Sequence, residues 1–443
     1  MKRLLFFMLL LIPIGIGACG QVPFKSVCVK GGNRATGGSH VRSWTPTKAV
    51  ICYQDGNTYY FAIVENYNTT MHAVKFSGYL SISDMRILGD TLYFCGSENN
   101  VGFIDYIDLN DLEQGTLTRS NGVSFVDSTT SSKLNRVTKM AVYYSPSDHT
   151  PRIAAIGEWS DTIPSGPGWY IGYPHAIIEA YFTSGSMDAK WVTCNSSGVR
   201  IQDVPHDVEV TDSYVAFVGY GINTTYLGIR KSDKDNILGS SMINTIYNYP
   251  IPAEQRPVAA AMVGDEIAVA TAYDTITNRE NRLEICMFDL STMDMFEVQT
   301  IKAPTKSAAE EMIFMPADNK LLLIPMLNEP SGFLYPVIYV KPRHTLPYST
   351  DAVLSRCMQS LSIDIHDSYY FLLGGVNSLF AHHIPTLSAN DSCIDLLEYE
   401  VRGWDKVGYT AQNDPVVIKN QYLPHMIPMS PCTDSYNSQC IYQ

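Results

Sequence analysis

The chain has 443 residues, with 44 acidic against 31 basic side chains, a net charge of −13 and only 17% charged residues. A field of that sign repels phosphate backbones, and Lys and Arg nowhere gather into a compensating stripe, so nucleic acid is excluded as a natural partner. No stretch after the first twenty residues is apolar for the eighteen or so that a membrane-spanning helix requires.

Residues 1–20 read as a secretory signal: Lys2 and Arg3, an apolar run from Leu4 to about Ile16, then small residues. The run is about a dozen residues, and Pro13, Gly15 and Gly17 weaken it further as a helix. Two processing routes fit. Ile16-Gly17-Ala18-Cys19 resembles a bacterial lipobox, which would make Cys19 a lipidated N-terminus; Ala18-Cys19-Gly20 also suits ordinary cleavage before Gln21. Either way the mature protein is expected outside the cytoplasm, in the cell envelope or secreted. It would touch a membrane only through the acyl chains, each buried methylene of which contributes about 0.8 kcal/mol.

Residues 21–43 are expected to be a linker or first strand. Beyond them the chain is rich in Tyr (28 residues) and in Val, Ile, Thr and Phe, and it is built of short apolar runs punctuated by Asp, Asn, Gly, Pro and Ser. Only Ala308 to Met312 hints at a helical turn.

One unit recurs: an apolar strand, a tight Asp-bearing turn, a second apolar strand often ending in Gly, then another hairpin. Val210 to Gly219, turning at Asp212, matches Ile365 to Gly374, turning at Asp367; Arg86 to Gly96 turns at Asp90 and Met262 to Ala270 at Asp265. Weaker copies turn at Asp55, Asp148 and Asp318. The turns are irregularly spaced, roughly fifty residues apart, which leaves room for about four short strands per unit. Asp and Gly recur because two-residue hairpin loops need positive φ, so these aspartates are read as structural.

A lone four-stranded sheet cannot cover both of its faces, whereas neighbours around an axis cover one another. The expected fold is therefore all-β, a β-propeller over 44–430. Seven blades fit the length, with six or eight left open by the short first spacing and the leftover C-terminal strands. On this repeat pattern the mature chain resembles β-propeller proteins, in particular exported propeller-like proteins of bacterial envelopes. The Gly-His and Trp-Asp pairs of WD40 repeats are absent, a kelch-like double glycine occurs once at Gly374-Gly375, and Tyr53 to Tyr59 lacks one residue of a sialidase Asp box. The resemblance implies a fold and leaves the activity open.

The longest irregular stretch, Glu158 to His175, holds Trp159, Trp169, Tyr170, Tyr173 and His175 beside Glu158 and Asp161. Flat aromatic faces with nearby carboxylates suit stacking on sugar rings, so these five residues are the candidate ligand site; the alternative is a loop that packs on its own blade. No catalytic set, cofactor motif or metal site is expected. His206-Asp207 and His366-Asp367 fall at different repeat positions, adjacent His382 and His383 point to opposite faces of a strand, and Asp233 to Asn236 lacks the Gly and distal Glu of a calcium loop.

None of the ten cysteines forms a CxxC pair. Within the C-terminal tail 431–443, Cys432 and Cys440 are candidates for a local disulfide, while Cys95 and Cys286 sit in apolar strands as buried thiols. Asn68, Asn195, Asn223 and Asn390 open glycosylation sequons in turn-like segments. The expected function is non-enzymatic binding or scaffolding toward a glycan, peptide or protein partner. The competing expectation is a propeller enzyme acting on polysaccharide, recognisable by carboxylates from several blades meeting at one place.

Overall fold

The computed structural model describes residues 25–435, apart from 30–39, 56, 66–69, 79, 127–133, 160–174, 194–203, 221–225, 251–254, 274–281, 303–306, 316–319, 330–331, 335–336, 341–352, 356–361, 367–368, 375–378, 386–393, 397, 408, 414–417 and 421. The described strands form seven antiparallel sheets. Blade 1 comprises His40–Thr45, Lys48–Asp55, Thr58–Glu65 and Thr70–Ser77; blade 2, Leu80–Leu88, Thr91–Glu98, Val101–Asp108 and Asn121–Ser124; blade 3, Leu134–Tyr144, Pro151–Trp159, His175–Thr183 and Ser186–Thr193. Blade 4 comprises Val204–Val210, Tyr214–Tyr220, Tyr226–Asp233 and Thr245–Pro250; blade 5, Gln255–Val263, Glu266–Tyr273, Arg282–Asp289 and Asp294–Lys302; blade 6, Ser307–Met315, Lys320–Glu329, Val337–Val340 and Val353–Ser355. Blade 7 is Ser362–His366, Tyr369–Gly374 and Leu379–Pro385, and its outer strand, Lys25–Val29, comes from the other end of the chain.

The first strand of each blade contacts the first strands of the blades before and after it, and that of blade 7 returns to blade 1, so seven inner strands close a cycle around an axis. The apolar runs are nearly continuous because both faces of a blade are covered. In Leu92-Tyr93-Phe94-Cys95, Leu92 and Phe94 join the core shared with blade 1, whereas Tyr93 and Cys95 join the core shared with blade 3. Phe61, Phe76, Phe94 and Phe103 fill the first of these cores, Phe94 meeting Phe61 and Phe103 edge to face and Phe76 tilted against Phe61, and Trp191 is wholly buried in the second. Cys95 and Cys286 are buried free thiols, as read from their strands.

A fifth strand lies outside six of the blades, and all six come from the C-terminal segment. Ile394–Leu396 pairs with blade 6, Glu398–Val407 with blade 5, Thr410–Asn413 with blade 4, Ile418–Lys419 with blade 3, Leu423–His425 with blade 2 and Ser430–Ser435 with blade 1. The segment thus runs back around the rim, against the order of the blades, as a belt. Ile394–Leu396 and Glu398–Val407, which follow the last blade in the chain, serve blades 6 and 5 and not blade 7, because the outer edge of blade 7 is filled by Lys25–Val29. Pairing on blade 1 extends to Ser435, which places Cys432 opposite Ala73 on the belt; Cys440 lies outside the described residues.

Two further expectations need correction. Ala308 to Met312 is strand, not helix: a register shift between Ala309 and Glu311 breaks the two-residue alternation and imitates a longer period. Asp55 belongs to the turn between the second and third strands of blade 1, whereas Asp90, Asp212 and Asp265 lie between first and second strands; the matching turn of blade 1 is Pro46-Thr47, which is why the first spacing looked short. Two of the turn aspartates have structural roles, and Asp318 and Asp367 lie outside the described residues. Asp90 accepts from Trp44 Nε1 at 3.0 Å and Asp265 from the Ser213 backbone N–H at 3.1 Å, each tying its blade to the preceding one.

Register shifts recur in the inner strands, at Ile82/Asp84, Val137/Lys139, Pro205/Asp207, Pro257/Ala259 and Ala309/Glu311. Facing the first three stand Gly96, Gly157 and Gly219, the glycines that end the repeat's second strand. At Gly96 the bulged backbone comes too close for a side chain: a Cβ there would lie 1.8 Å from the Ser81 carbonyl oxygen, whereas at Gly157 the nearest atoms would stand at 3.1 Å or more. Gly96→Ala is therefore expected to lower stability by about 1–3 kcal/mol, read as a lower urea midpoint.

Candidate functional site

In blades 2 to 6 the bulge sets one residue of the inner strand at an equivalent place beside the axis, and blades 1 and 7 have a residue at the same place. Counting back from the turn, or forward from the register shift, matches Asp84, Lys139, Asp207, Ala259, Glu311 and Ser362, in blades 2 to 7. His40 takes the position in blade 1, because the next residue, Val41, gives its N–H to Ser362 Oγ of blade 7 at 3.2 Å. Met140, which follows Lys139, does the same to Asp84 at 3.1 Å, and Ala260, which follows Ala259, to Asp207 at 2.8 Å. Two residues further on in each strand stand Arg42, Arg86, Ala141, Glu209, Ala261, Ile313 and Asp364.

Five of these residues, Arg42, Asp84, Arg86, Glu311 and Ser362, form one polar network. Arg42 reaches Asp84 at 2.9 Å and Glu311 at 2.8 Å, bonds the Met85 carbonyl oxygen through Nε at 2.6 Å, and is almost wholly buried. Arg86 lies 3.4 Å from Asp84 and 4.0 Å from Glu311, with a quarter of its side chain exposed. Ser362 Oγ donates to Glu311 at 3.0 Å, and Asp364 accepts both N–H and Oγ–H of Ser43 at 2.6 and 2.7 Å. Asp84 and Asp207 each also take the N–H of the following residue, at 2.8 and 2.9 Å.

Burial and neighbours divide the acidities. Burial pushes Asp84 up, but Arg86 and Arg42 outweigh it and hold the carboxyl well below the usual range; Glu311, likewise buried, is held down by Arg42, Lys139 and Arg86. Burial raises Asp207, and burial together with Asp207 raises Glu209 to about 8. Lys139, although desolvated, is raised by Asp207, Asp84 and Glu311; burial and Arg42 lower His40 to about 4. Near neutral pH Glu209 is thus largely protonated and His40 neutral. His40 Nε2 is shielded from solvent without a hydrogen-bond partner, and among the described residues no hydrogen bond or ion pair engages Lys139 Nζ or the Glu209 carboxyl.

The expected aromatic site is only partly placed. Trp159 ends the second strand of blade 3 and His175 begins the third, with Glu158 opposite His175; Trp169, Tyr170, Tyr173 and Asp161 lie outside the described residues, as do Cys19 and the four sequons. Asp233 and Asn236 accept local bonds from Ser240 and Gly239, and Asp235 accepts from Ser145 in the turn of blade 3. Of the axial residues only Asp207 stood out in the sequence, and there as half of the His206-Asp207 pair. The signal available was a lone charged residue at one fixed place in an apolar inner strand, visible once the repeats are aligned upstream of their turns.

No family model matches the chain, and no curated protein matches it in sequence. Among solved structures it is similar to hydrazine synthase from Kuenenia stuttgartiensis, at 12% identity over 81% of this chain and 99% of that one, TM-score 0.47. It is similar to the WD40 domain of Toxoplasma gondii coronin, at 10% identity over 84% and 88%, TM-score 0.44, and to the WD40 β-propeller domain of Doa1, at 10% over 83% and 98%, TM-score 0.39.

Proposed function

We propose that this chain is an exported, non-enzymatic binding or scaffold propeller, a stiff ring that offers its loops and axial channel to a glycan, peptide or protein partner. What supports the reading is the state of the axial carboxylates. Those of blades 2 and 6 share Arg42, and together with that of blade 4 they all act on Lys139, but Asp84 and Asp207 have both oxygens occupied by backbone N–H groups, and Glu311 is bound by Arg42 and Ser362. They hold blades together. Left without a hydrogen bond among the described residues are a donor in Lys139 and a largely protonated carboxyl in Glu209; the neutral His40 Nε2 is closed off from solvent. Hydroxyl groups answer both Lys139 and Glu209, since each both donates and accepts, so a sugar suits the channel better than an ion.

Glu209 also favours the second reading, an acid in a polysaccharide-cleaving site, because its acidity lies near working pH. Glu209→Gln separates the two. On a glycan array followed by calorimetry, a binding protein should lose about 3- to 10-fold in affinity; an enzyme should lose at least about 100-fold in turnover. An array on which the mature chain binds nothing removes the sugar reading.

If Cys19 is lipidated, it stands six positions before Lys25 on the outer edge of blade 7. A span of about 20 Å would then hold that edge close to the membrane. Mass spectrometry of the N-terminus decides this, and an unacylated Gln21 rules out the tether.

A further inference from the structure

The belt's hold on blade 2 centres on a side chain outside both the channel and the loop discussed above. His425, in Leu423–His425, lies flat on Phe103, with ring centroids 4.7 Å apart and planes 16° apart. Its Nδ1 is 2.8 Å from Asp105 Oδ1, and its Nε2 is 3.0 Å from Glu98 Oε2. Asp105 is wholly buried, and its other oxygen accepts from Ser120 Oγ–H. That Ser120 oxygen accepts the N–H of Ile427, two residues beyond His425 on the belt, and the Ser120 N–H is given to the Ile427 carbonyl oxygen. The order Ser120, Asp105, His425 is not that of a nucleophilic triad, because the carboxylate stands between the other two.

Proton count sets the state of this cluster. Ionised carboxylates only accept, so each of the two ring-to-carboxylate lines needs a proton, and a neutral imidazole carries one. The arrangement holds one proton more than neutral histidine with two carboxylates. Losing it turns a lone pair toward a carboxylate oxygen inside a nearly closed site. Every titratable group shown facing the ring is acidic: Glu98 from the second strand of blade 2 and Asp105 from the third.

We infer that His425 is a pH-dependent latch on the C-terminal belt, closed while the cluster keeps its extra proton and released on blade 2 when that proton leaves. This goes beyond the proposed binding function and does not depend on it. Release frees the edge of Asn121–Ser124, to which Leu423–His425 is paired, and loosens the chain leading to Ile427 and Met429. The sign agrees with the electrostatics. Burial opposes the charged ring, but Asp105 and Glu98 outweigh it and raise His425 above its ordinary 6.5, so the stabilisation is present at mildly acid pH and lost as pH climbs through the raised value.

Hydrogen exchange of the full mature chain, corrected for intrinsic rates, tests this between pH 6 and 9.5. The peptides covering 120–124 and 422–429 should lose at least about 10-fold in protection across the histidine titration, while strands of blade 5 keep theirs. His425→Gln should be unprotected in both peptides at every pH. Equal loss in the wild type and the variant, or protection that does not change with pH, overturns the latch. Should the variant fail to fold, NMR titration of His425 in the wild type decides: a value above 6.5 with an imidazolium signal for both ring N–H groups supports the latch, and a value at or below 6.5 ends it.

Discussion

Asp84→Ala is expected to cost about 3–5 kcal/mol of folding stability, among the largest losses from a single substitution at the axis. Its carboxylate is 1% exposed and serves four groups at once: Arg42, Arg86, and the backbone N–H groups of Met85 and of Met140 in the next blade. Removal leaves Arg42 with Glu311 as its remaining carboxylate partner among the ion pairs described, and strands a buried N–H on each of two blades. Each orphaned group carries a desolvation cost. Asp84→Asn keeps the shape and one acceptor, so it should cost less than alanine. The pH dependence has a definite sign. Because the folded-state value lies below the ordinary 3.8, the contribution is complete above that value and fades as pH falls beneath it. Urea midpoints measured from pH 7 downward should therefore show wild type and Asp84→Ala converging in strong acid. A loss under about 1 kcal/mol at pH 7 would mean that the network merely occupies the channel without joining the blades.

How much of this was written legibly in the chain depended on whether a residue's neighbours repeat. The blades announced themselves because Asp and Gly mark turns whose backbone few other residues tolerate, and because runs such as Leu92 to Cys95 feed two cores at once. The reason for the recurring glycine was not legible: Gly96 is required by a bulge in the strand beside it, and bulges leave no residue type of their own. The axial residues were hidden for a related reason. Asp84 and Asp207 share a place, whereas Lys139, Ala259 and Ser362 occupy the same place with unlike chemistry, so no motif survives across the repeats. The belt was the least legible part. Thr410–Asn413, Ile418–Lys419 and Leu423–His425 are two to four residues long and mostly exposed, too short for alternation to register.

Ending the chain after Asn420 should expose what the belt contributes. The cut removes Leu423–His425 and Ser430–Ser435 from blades 2 and 1, and with them Ile427 and Met429, which are buried in the core shared by those blades. Two such side chains contribute about 1.5–3 kcal/mol each, so a loss of roughly 3–6 kcal/mol is expected before the edges are counted. Those edges matter in a second way: Thr70–Ser77, a strand of eight residues, would present unpaired backbone groups to other copies. Sedimentation or light scattering should find the truncated chain associating where the full chain does not. Single substitutions should reproduce the gradient along the belt. Ile427→Ala, in the core, should cost about 2–5 kcal/mol, and Ile418→Ala, exposed on a two-residue strand, no more than about 0.5 kcal/mol. The asymmetry follows from topology, because the belt ends on the blade with which the ring begins. Its last strand can dock only on a blade already formed, and there it joins residues more than three hundred and fifty positions apart, Ser430 to Lys75 among them. If the truncated chain kept its urea midpoint and stayed monodisperse, the belt would be an appendage to a ring that closes without it.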